Sequence, residues 1–379
     1  MRDARYLQEL QALPLDLKVM LTKQRIREAV SRYGEDGLYV SFSGGKDSTV
    51  LLDIVRKDYP DIPAVFIDTG LEYPEIRSFV KTFDNVTWIK PKKNFKQVIL
   101  DYGYPVISKE VSERVYYAQK YLEWYRENGD EDKEPTSYSI KKFLNMDKEE
   151  KIPDEVLVEL AQTEGATLRV KQLAGLAKDG DKKSSFNYNK WLFLMAAPFM
   201  VSNKCCDVMK KSPAHAYNVE TGRIPITAQM AEESRLRKQK WIQNGCNAFD
   251  GKKPVSNPMS FWTENDVLQY IVEHGLKIAS VYGDIVEVGE IPGQMTLSDL
   301  GLDEDSPRTY CTTGCKRTGC MFCGFGCHME KPGEGRFERL KETHPKVYDY
   351  IMRPVEQGGL DFKTVIDWIN NNGGTSIKY

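Results

Sequence analysis

The chain has 379 residues, 41% of them hydrophobic, and sets 53 Lys and Arg against 55 Asp and Glu for a formal net charge of −2. That length buries a sizeable core, as one large domain with additions or as two, and the balanced charge gives no global argument for a nucleic-acid partner. No run reaches the roughly 18 apolar residues of a membrane helix and the charged N-terminus lacks a secretory apolar core. The expectation is a soluble cytoplasmic protein without membrane attachment, its oligomeric state open.

Residues 1–34 read as two helices. Leu7, Leu10 and Leu13 lead to Pro14, and Leu17, Leu21, Ile26 and Val30 recur at helical spacing up to Gly34. A buried strand over Leu38–Phe42 then meets Ser43-Gly44-Gly45-Lys46-Asp47-Ser48 and an apolar helix from about Thr49, with Ser48 as its expected cap. Gly44 and Gly45 allow φ > 0 and close backbone approach, the helix N-terminus offers unpaired N–H groups, and Lys46 adds a point charge. Together these form an anion cradle suited to phosphate. The spacing is neither the Walker loop nor the dinucleotide fingerprint.

A second buried strand, Ile62–Asp68, ends in the turn Asp68-Thr69-Gly70-Leu71-Glu72-Tyr73-Pro74-Glu75, and a helix over 74–83 returns to a third strand at Val86–Lys90. Strand–helix–strand alternation at this spacing predicts a doubly wound, mostly parallel α/β sheet, with ligands beyond the carboxyl ends of its strands. Strands centred on Tyr39, Phe66, Trp88 and Ile226 are expected to be neighbours in it. A helix and an extended segment follow over 92–107, then a Tyr-rich helix over 108–126. Residues 127–190 are lysine-rich and acidic without strand pattern, and read as a helical insertion whose charges form a solvated face. Thr263 is the expected N-cap of a further helix, with Asp266 its capping-box partner. The domains expected are N-terminal helices (1–34), a nucleotide-binding α/β domain (35–126 and 191–300), the insertion (127–190), and a Cys-rich segment with C-terminal helices (301–379).

The eight cysteines are Cys205, Cys206, Cys246, Cys311, Cys315, Cys320, Cys323 and Cys327. Five within seventeen residues favour metal in a reducing compartment. On spacing alone the alternatives are a tetrahedral Zn2+ on four of the late cysteines, or thiolate ligation drawing on the vicinal Cys205-Cys206 pair. Cys246 reads as a lone core thiol.

The Ser43–Ser48 loop resembles the pyrophosphate-binding (PP) loop of the adenine-nucleotide α-hydrolase superfamily, and Asp68-Thr69-Gly70 with Pro74-Glu75 is similar to the second motif of the same group. Cys205-Cys206, Glu233-Ser234 with Arg237, and the Pro258–Asp266 helix entry resemble later motifs of the phosphoadenosine phosphosulfate (PAPS) reductase family. The resemblance spans about 35–125 and 195–330. It implies ATP, or the sulfonucleotides APS or PAPS, on the amides of Gly44, Gly45, Lys46 and Asp47 and the hydroxyls of Ser41, Ser43 and Ser48. It further implies Asp68, Thr69, Gly70, Glu233 and Ser234 at the nucleotide, Mg2+ on Asp47 and Asp68, and Lys46, Asp47 and Arg237 as catalytic residues. Cys205, Cys206, Cys320 and Cys323 correspond to the ligands of a [4Fe–4S] cluster in assimilatory APS reductases.

Two departures stand out. Met230 occupies a position where the family carries arginine, and no cysteine follows Cys327, where the reductases carry their nucleophile. The loop is the intact ATP version. Three functions are therefore weighed: ATP-dependent adenylyl transfer with pyrophosphate release, coupled to sulfur transfer and an iron–sulfur cluster; a sulfonucleotide reductase using Cys311, Cys315 or Cys327; and a non-catalytic nucleotide-binding partner with structural zinc. Expected partners are the nucleotide, a sulfur donor protein, and a nucleic-acid or small oxyanion acceptor guided by Lys210, Lys211, Arg235, Arg237, Lys238 and Lys240. For most of these six residues a solvated helix face is the alternative.

Overall fold

The computed structural model describes residues 2–129, 137–147, 150–180, 182–251, 253–288 and 308–379. Helix α1 (Ala4–Gln11) is capped by the Asp3 carboxylate, which accepts the Tyr6 N–H, and α2 (Leu15–Tyr33) ends at Gly34 with φ +70°. Strand β1 (Leu38–Ser41) buries Leu38, Tyr39 and Val40 and leads into α3 (Lys46–Asp58), whose Val50, Leu51, Leu52, Ile54 and Val55 are all buried. Strand β2 (Ala64–Ile67), α4 (Pro74–Val80, proline in its first turn) and β3 (Val86–Ile89) complete this half of the sheet.

Next come α5 (Phe95–Tyr102), opened by a reciprocal Asn94–Gln97 capping box, β4 (Val106–Ile107) and α6 (Lys109–Asn128), capped by Ser108. Helices α7 (Tyr138–Leu144), α8 (Asp154–Gln162) and α9 (Leu168–Leu173) occupy the charged stretch. Helix α10 (Lys204–Cys206) passes through a π-helical stretch, Asp207–Lys211, into α11 (Ser212–Thr221). The remaining elements are β5 (Ile224–Ile226), α12 (Arg235–Asn244), β6 (Asn247–Ala248), β7 (Val255–Ser256), α13 (Glu264–His274), β8 (Ile285–Glu287), β9 (Tyr310–Thr312), β10 (Gly324–Phe325), α14 (Arg336–Thr343), α15 (Pro345–Met352) and α16 (Phe362–Gly373).

The main sheet runs β3-β2-β1-β5-β7-β6, parallel throughout except for β6. Tyr39 lies opposite Pro225, Val40 opposite Ala64 and Phe66 opposite Trp88, so the four expected strands are consecutive neighbours. The order reverses between β1 and β5, and a ligand crevice belongs at the carboxyl ends of those two strands.

The chain divides into two compact units, Met1–Pro91 with Lys210–Cys320, and Lys92–Met209 with Met321–Tyr379. The first holds the main sheet. In its core Lys18 is buried and donates to both carboxylate oxygens of Asp266 at 2.7 Å and to the Gln11 carbonyl at 2.6 Å, while Trp262 Nε1 donates to the Thr22 hydroxyl. Asp266 also closes the expected capping box with Thr263. The second unit is mainly helical and includes the described part of 127–190. Its core gathers Phe95, Tyr104, Phe322, Phe337 and Phe362, and β10 pairs in parallel with β4. The buried Gln119 ties α6 to the Leu194, Phe199 and Val201 backbone. No helix among the described residues is long and apolar enough to cross a membrane.

Candidate functional site

The link from β1 to α3 is built around Gly44, whose φ is +71°. A Cβ there would come within 2.6 Å of Val80 Cγ2 and 2.9 Å of Ile76 Cγ2, so both the conformation and the close approach of α4 demand glycine. Gly45 differs from expectation: its φ is −75°, an ordinary value, and it is the N-cap of α3. Ser48 is consequently not the cap. It lies inside the first turn, where its hydroxyl donates to the Gly45 carbonyl at 3.0 Å, accepts the Ser43 N–H at 3.2 Å and meets the Ser43 hydroxyl at 3.1 Å. The helix starts earlier because Gly45 already adopts extended capping geometry, leaving Ser48 to brace the loop from within. Ser41 ends β1, half-buried.

Lys46 is 3% exposed, and its ammonium donates to the Lys316 carbonyl at 3.1 Å and pairs with Glu264 at 3.1 Å and Asp47 at 3.6 Å. Burial alone would pull this ammonium down, but Asp47, Glu264 and Tyr282 outweigh it and hold it above the ordinary lysine value. Asp47 shifts the other way from a typical paired carboxylate: burial raises it despite Lys46 and Arg317 nearby. Its Oδ1 is buried without a hydrogen-bond partner. The Lys46 backbone N–H, at the start of α3, donates to the Tyr282 hydroxyl at 3.1 Å, and that hydroxyl is 2.5 Å from Thr318 Oγ1.

Residues 313–318 therefore form a cap on the loop. Gly314 and Cys315 bond through their N–H groups to the Tyr282 and Val281 carbonyls, and β9, paired antiparallel with β8, leads into them. Tyr282, Glu264, Lys316, Arg317 and Thr318 were absent from the sequence-derived set. Only the Lys-Arg pair next to Cys315 marks this segment in the sequence as a candidate for an anion site.

Asp68 stands at the end of β2, paired with Arg77 at 2.8 Å, its Oδ1 buried without a partner. Thr69 bonds to Glu72 through both its N–H and its hydroxyl, and Gly70 takes φ +75°, so this turn is closed on itself. At the carboxyl end of β5, Glu233 pairs with Arg237 and accepts the Met230 N–H at 3.0 Å, while Ser234 caps α12 by accepting the Arg237 N–H. Met230 is buried. Burial and Arg317 lower the Arg237 guanidinium, and Asp47 partly opposes them. The structure thus brings Arg237 into the electrostatic field of the loop. Beside it a cavity of about 640 Å³, lined by Gln229, Met230, Arg237, Lys240, Trp241 and Asn257 among others, opens past β5 and β7.

Of the cysteines, Cys205 and Cys206 lie on α10, Cys320 just beyond the cap, and Cys323 just before β10. Among the described residues no three His, Cys, Asp or Glu side chains are gathered into a metal-holding group. Cys327 is 2% exposed and burial pushes its thiol well up, which makes it a poor thiolate.

The fold is an α/β protein whose mostly parallel sheet carries a glycine-turned strand-to-helix loop at its switch point. The model of the phosphoadenosine phosphosulfate reductase domain matches residues 37–116 and 140–324, most of the chain, and the protein belongs to that family. Phosphoadenosine 5′-phosphosulfate reductase of Xylella fastidiosa is 34% identical over 76 residues, 20% of this chain and 32% of that protein. The enzyme of the same name from Buchnera aphidicola is 40% identical over 76 residues, 20% of this chain and 31% of the relative. An uncharacterised protein of Methanocaldococcus jannaschii is 38% identical over 69 residues, 17% of each chain. The chain thus spans less than a third of the length of these relatives. Among solved structures, PAPS reductase from Candida auris in a phosphate complex aligns over 74% of this chain and 91% of its own, at 13% identity and a TM-score of 0.34.

Proposed function

We propose that this chain is an enzyme of sulfur metabolism that holds an adenosine nucleotide by its phosphates on the Ser43–Ser48 loop. The observation that carries the reading is the loop itself. Gly44 turns the backbone, α3 starts at Lys46, and the Lys46 ammonium is held charged and almost fully buried beside it. Lys46 and the amides at the start of α3 stabilise the charge that develops as a group leaves. Asp47 and Asp68 each keep one buried oxygen without a hydrogen-bond partner, which suits a Mg2+ brought in with the phosphates.

The complete loop favours ATP. An acceptor nucleophile forms a bond to the α-phosphorus, the bond to the bridging oxygen breaks, and pyrophosphate leaves with the electron pair. The cavity beside Arg237 offers room for the acceptor, whether a small oxyanion or part of a nucleic acid.

Family membership favours a second reading, a sulfonucleotide reductase. There a thiolate attacks the sulfur, the sulfur–oxygen bond breaks with the nucleotide leaving, and an external dithiol then releases sulfite. Of the cysteines weighed for that role, Cys311 and Cys315 lie in the same unit as the loop, whereas Cys327 is buried in the other.

Product analysis decides between the two. Pyrophosphate from ATP supports adenylyl transfer, sulfite from APS or PAPS supports the reductase, and neither product from any nucleotide overturns both. The iron–sulfur proposal rests on the spacing of Cys205-Cys206 with Cys320 and Cys323. Iron, sulfide and zinc analysis of anaerobically purified protein tests it.

A further inference from the structure

We propose that Glu264 is an exchangeable partner of Lys46: its carboxylate holds the ammonium until a phosphate takes that place, and then swings into solvent. This rests on the nucleotide reading above and adds the contact that binding has to break. An ammonium carries three N–H donors and no acceptor. Three oxygens surround that of Lys46: the Lys316 carbonyl at 3.1 Å, Glu264 Oε1 at 3.1 Å and Asp47 Oδ1 at 3.6 Å. The Lys46 side chain is only 3% exposed, so the ammonium has no open side for a further acceptor. A phosphate oxygen that accepts from it replaces one of the three.

The three differ in how freely they can leave. The Lys316 oxygen belongs to the backbone of the cap. Two residues on, Thr318 meets the Tyr282 hydroxyl, which accepts the Lys46 N–H, so that carbonyl is fixed against the start of α3. Asp47 is the chain neighbour of Lys46 in the first turn of α3, and its Oδ1 is buried. Glu264 is 40% exposed, and among the described residues its carboxylate has no ion pair or hydrogen bond besides the one with Lys46.

The backbone beneath it stays where it is. The Glu264 N–H donates to Glu232 at 2.8 Å, Thr263 and Asp266 close the capping box, and Lys18 grips Asp266. Next to it, Asn265 donates to the Arg308 carbonyl at 2.9 Å and accepts the Tyr310 N–H at 2.8 Å. The exchange therefore needs only rotation of the Glu264 side chain, with α13 in place. Like charge drives it: Glu264 and Asp47 already share one ammonium, and an arriving phosphate adds a third anion unless one departs.

The test is equilibrium binding of ATP and inorganic pyrophosphate to the wild type and to the Glu264→Gln and Glu264→Asp variants, with thermal unfolding recorded for each. Aspartate keeps the charge at this position but is one methylene too short to hold the ammonium. The expected result is about fivefold tighter binding of both ligands by both variants, the size of a partly exposed ion pair that no longer has to be broken. Binding by Glu264→Gln equal to or weaker than that of the wild type would overturn the exchange and leave the nucleotide reading intact, since Glu264 would then serve Lys46 beside the bound ligand too. Tighter binding by Glu264→Gln with Glu264→Asp unchanged would also overturn it, because the charge and not the contact would then oppose the ligand. A wild type that binds neither ligand overturns both proposals.

Discussion

The Tyr282 hydroxyl accepts the backbone N–H of Lys46 at 3.1 Å and lies 2.5 Å from the hydroxyl of Thr318, so one phenol joins the start of α3 to the 313–318 cap. Burial, helped by Asp47, holds the phenol above its ordinary value against the opposing pull of Thr318 and Lys46, and it stays a neutral hydroxyl at physiological pH. Removing it in Tyr282→Phe strands both partners, at about 1–2 kcal/mol of stability. Thr318→Ala removes part of the same arrangement. Urea unfolding of the two single variants and the double variant should therefore give a coupling of about 1 kcal/mol. Strict additivity would show that the cap does not sit on the loop as described.

Asp47 gives a pH signature. Burial raises its folded-state pKa above the ordinary 3.8, so the fold favours the protonated form. The stability it contributes is complete below that ordinary value and is lost as pH rises through the raised one. Asp47→Asn should then be more stable than the wild type at pH 7, by about 1 kcal/mol or more, with the gap narrowing as the pH is lowered toward 4. The same variant should bind nucleotide more weakly. A variant less stable at pH 7 would contradict the assignment of Asp47 as a strained functional carboxylate.

The two loop glycines should behave differently. Gly44→Ala combines a left-handed backbone with overlap onto Val80 and Ile76, at a cost of about 3 kcal/mol. Gly45→Ala keeps φ −75°, and its nearest contacts, Ser43 Oγ at 3.2 Å and the Tyr282 hydroxyl at 3.3 Å, are tight without overlapping. Unfolding midpoints should rank Gly44→Ala well below Gly45→Ala. Equal destabilisation would mean that the turn is not held by Gly44.

The parallel direction of the sheet and the membership of its strands were legible because β1, β2 and β3 are short apolar runs separated by helical spacing. The loop was legible for the same reason, its polar residues falling between a buried strand and a buried helix. The stripe on α2 was misread. Leu17, at 38% exposure, lies on the outer side, while Leu15, Lys18, Thr22, Ile26 and Ala29 are buried. Lys18 and Thr22 look like surface residues, but Asp266 and Trp262 lie more than two hundred positions away and supply their buried partners. The cap escaped notice for the same reason: nothing local to residues 313–318 shows that Tyr282 and Lys46 receive them.

Cys327 lies 2% exposed, its Sγ 3.7 Å from the Cys323 carbonyl. Peptide mapping after iodoacetamide treatment of the native protein at pH 8 should find Cys327 unmodified while the half-exposed Cys311 reacts. Modification of Cys327 at the rate of Cys311 would return it to the set of possible nucleophiles.

Equilibrium titration of ATP and of PAPS into the wild type and Lys46→Ala tests the central claim, that the Ser43–Ser48 loop is the nucleotide's anion site. Lys46 contributes a charge-assisted contact worth about 1.5–3 kcal/mol, so its loss should weaken binding of the preferred nucleotide at least tenfold while the variant stays folded. A folded Lys46→Ala protein that binds as tightly as the wild type would contradict the assignment.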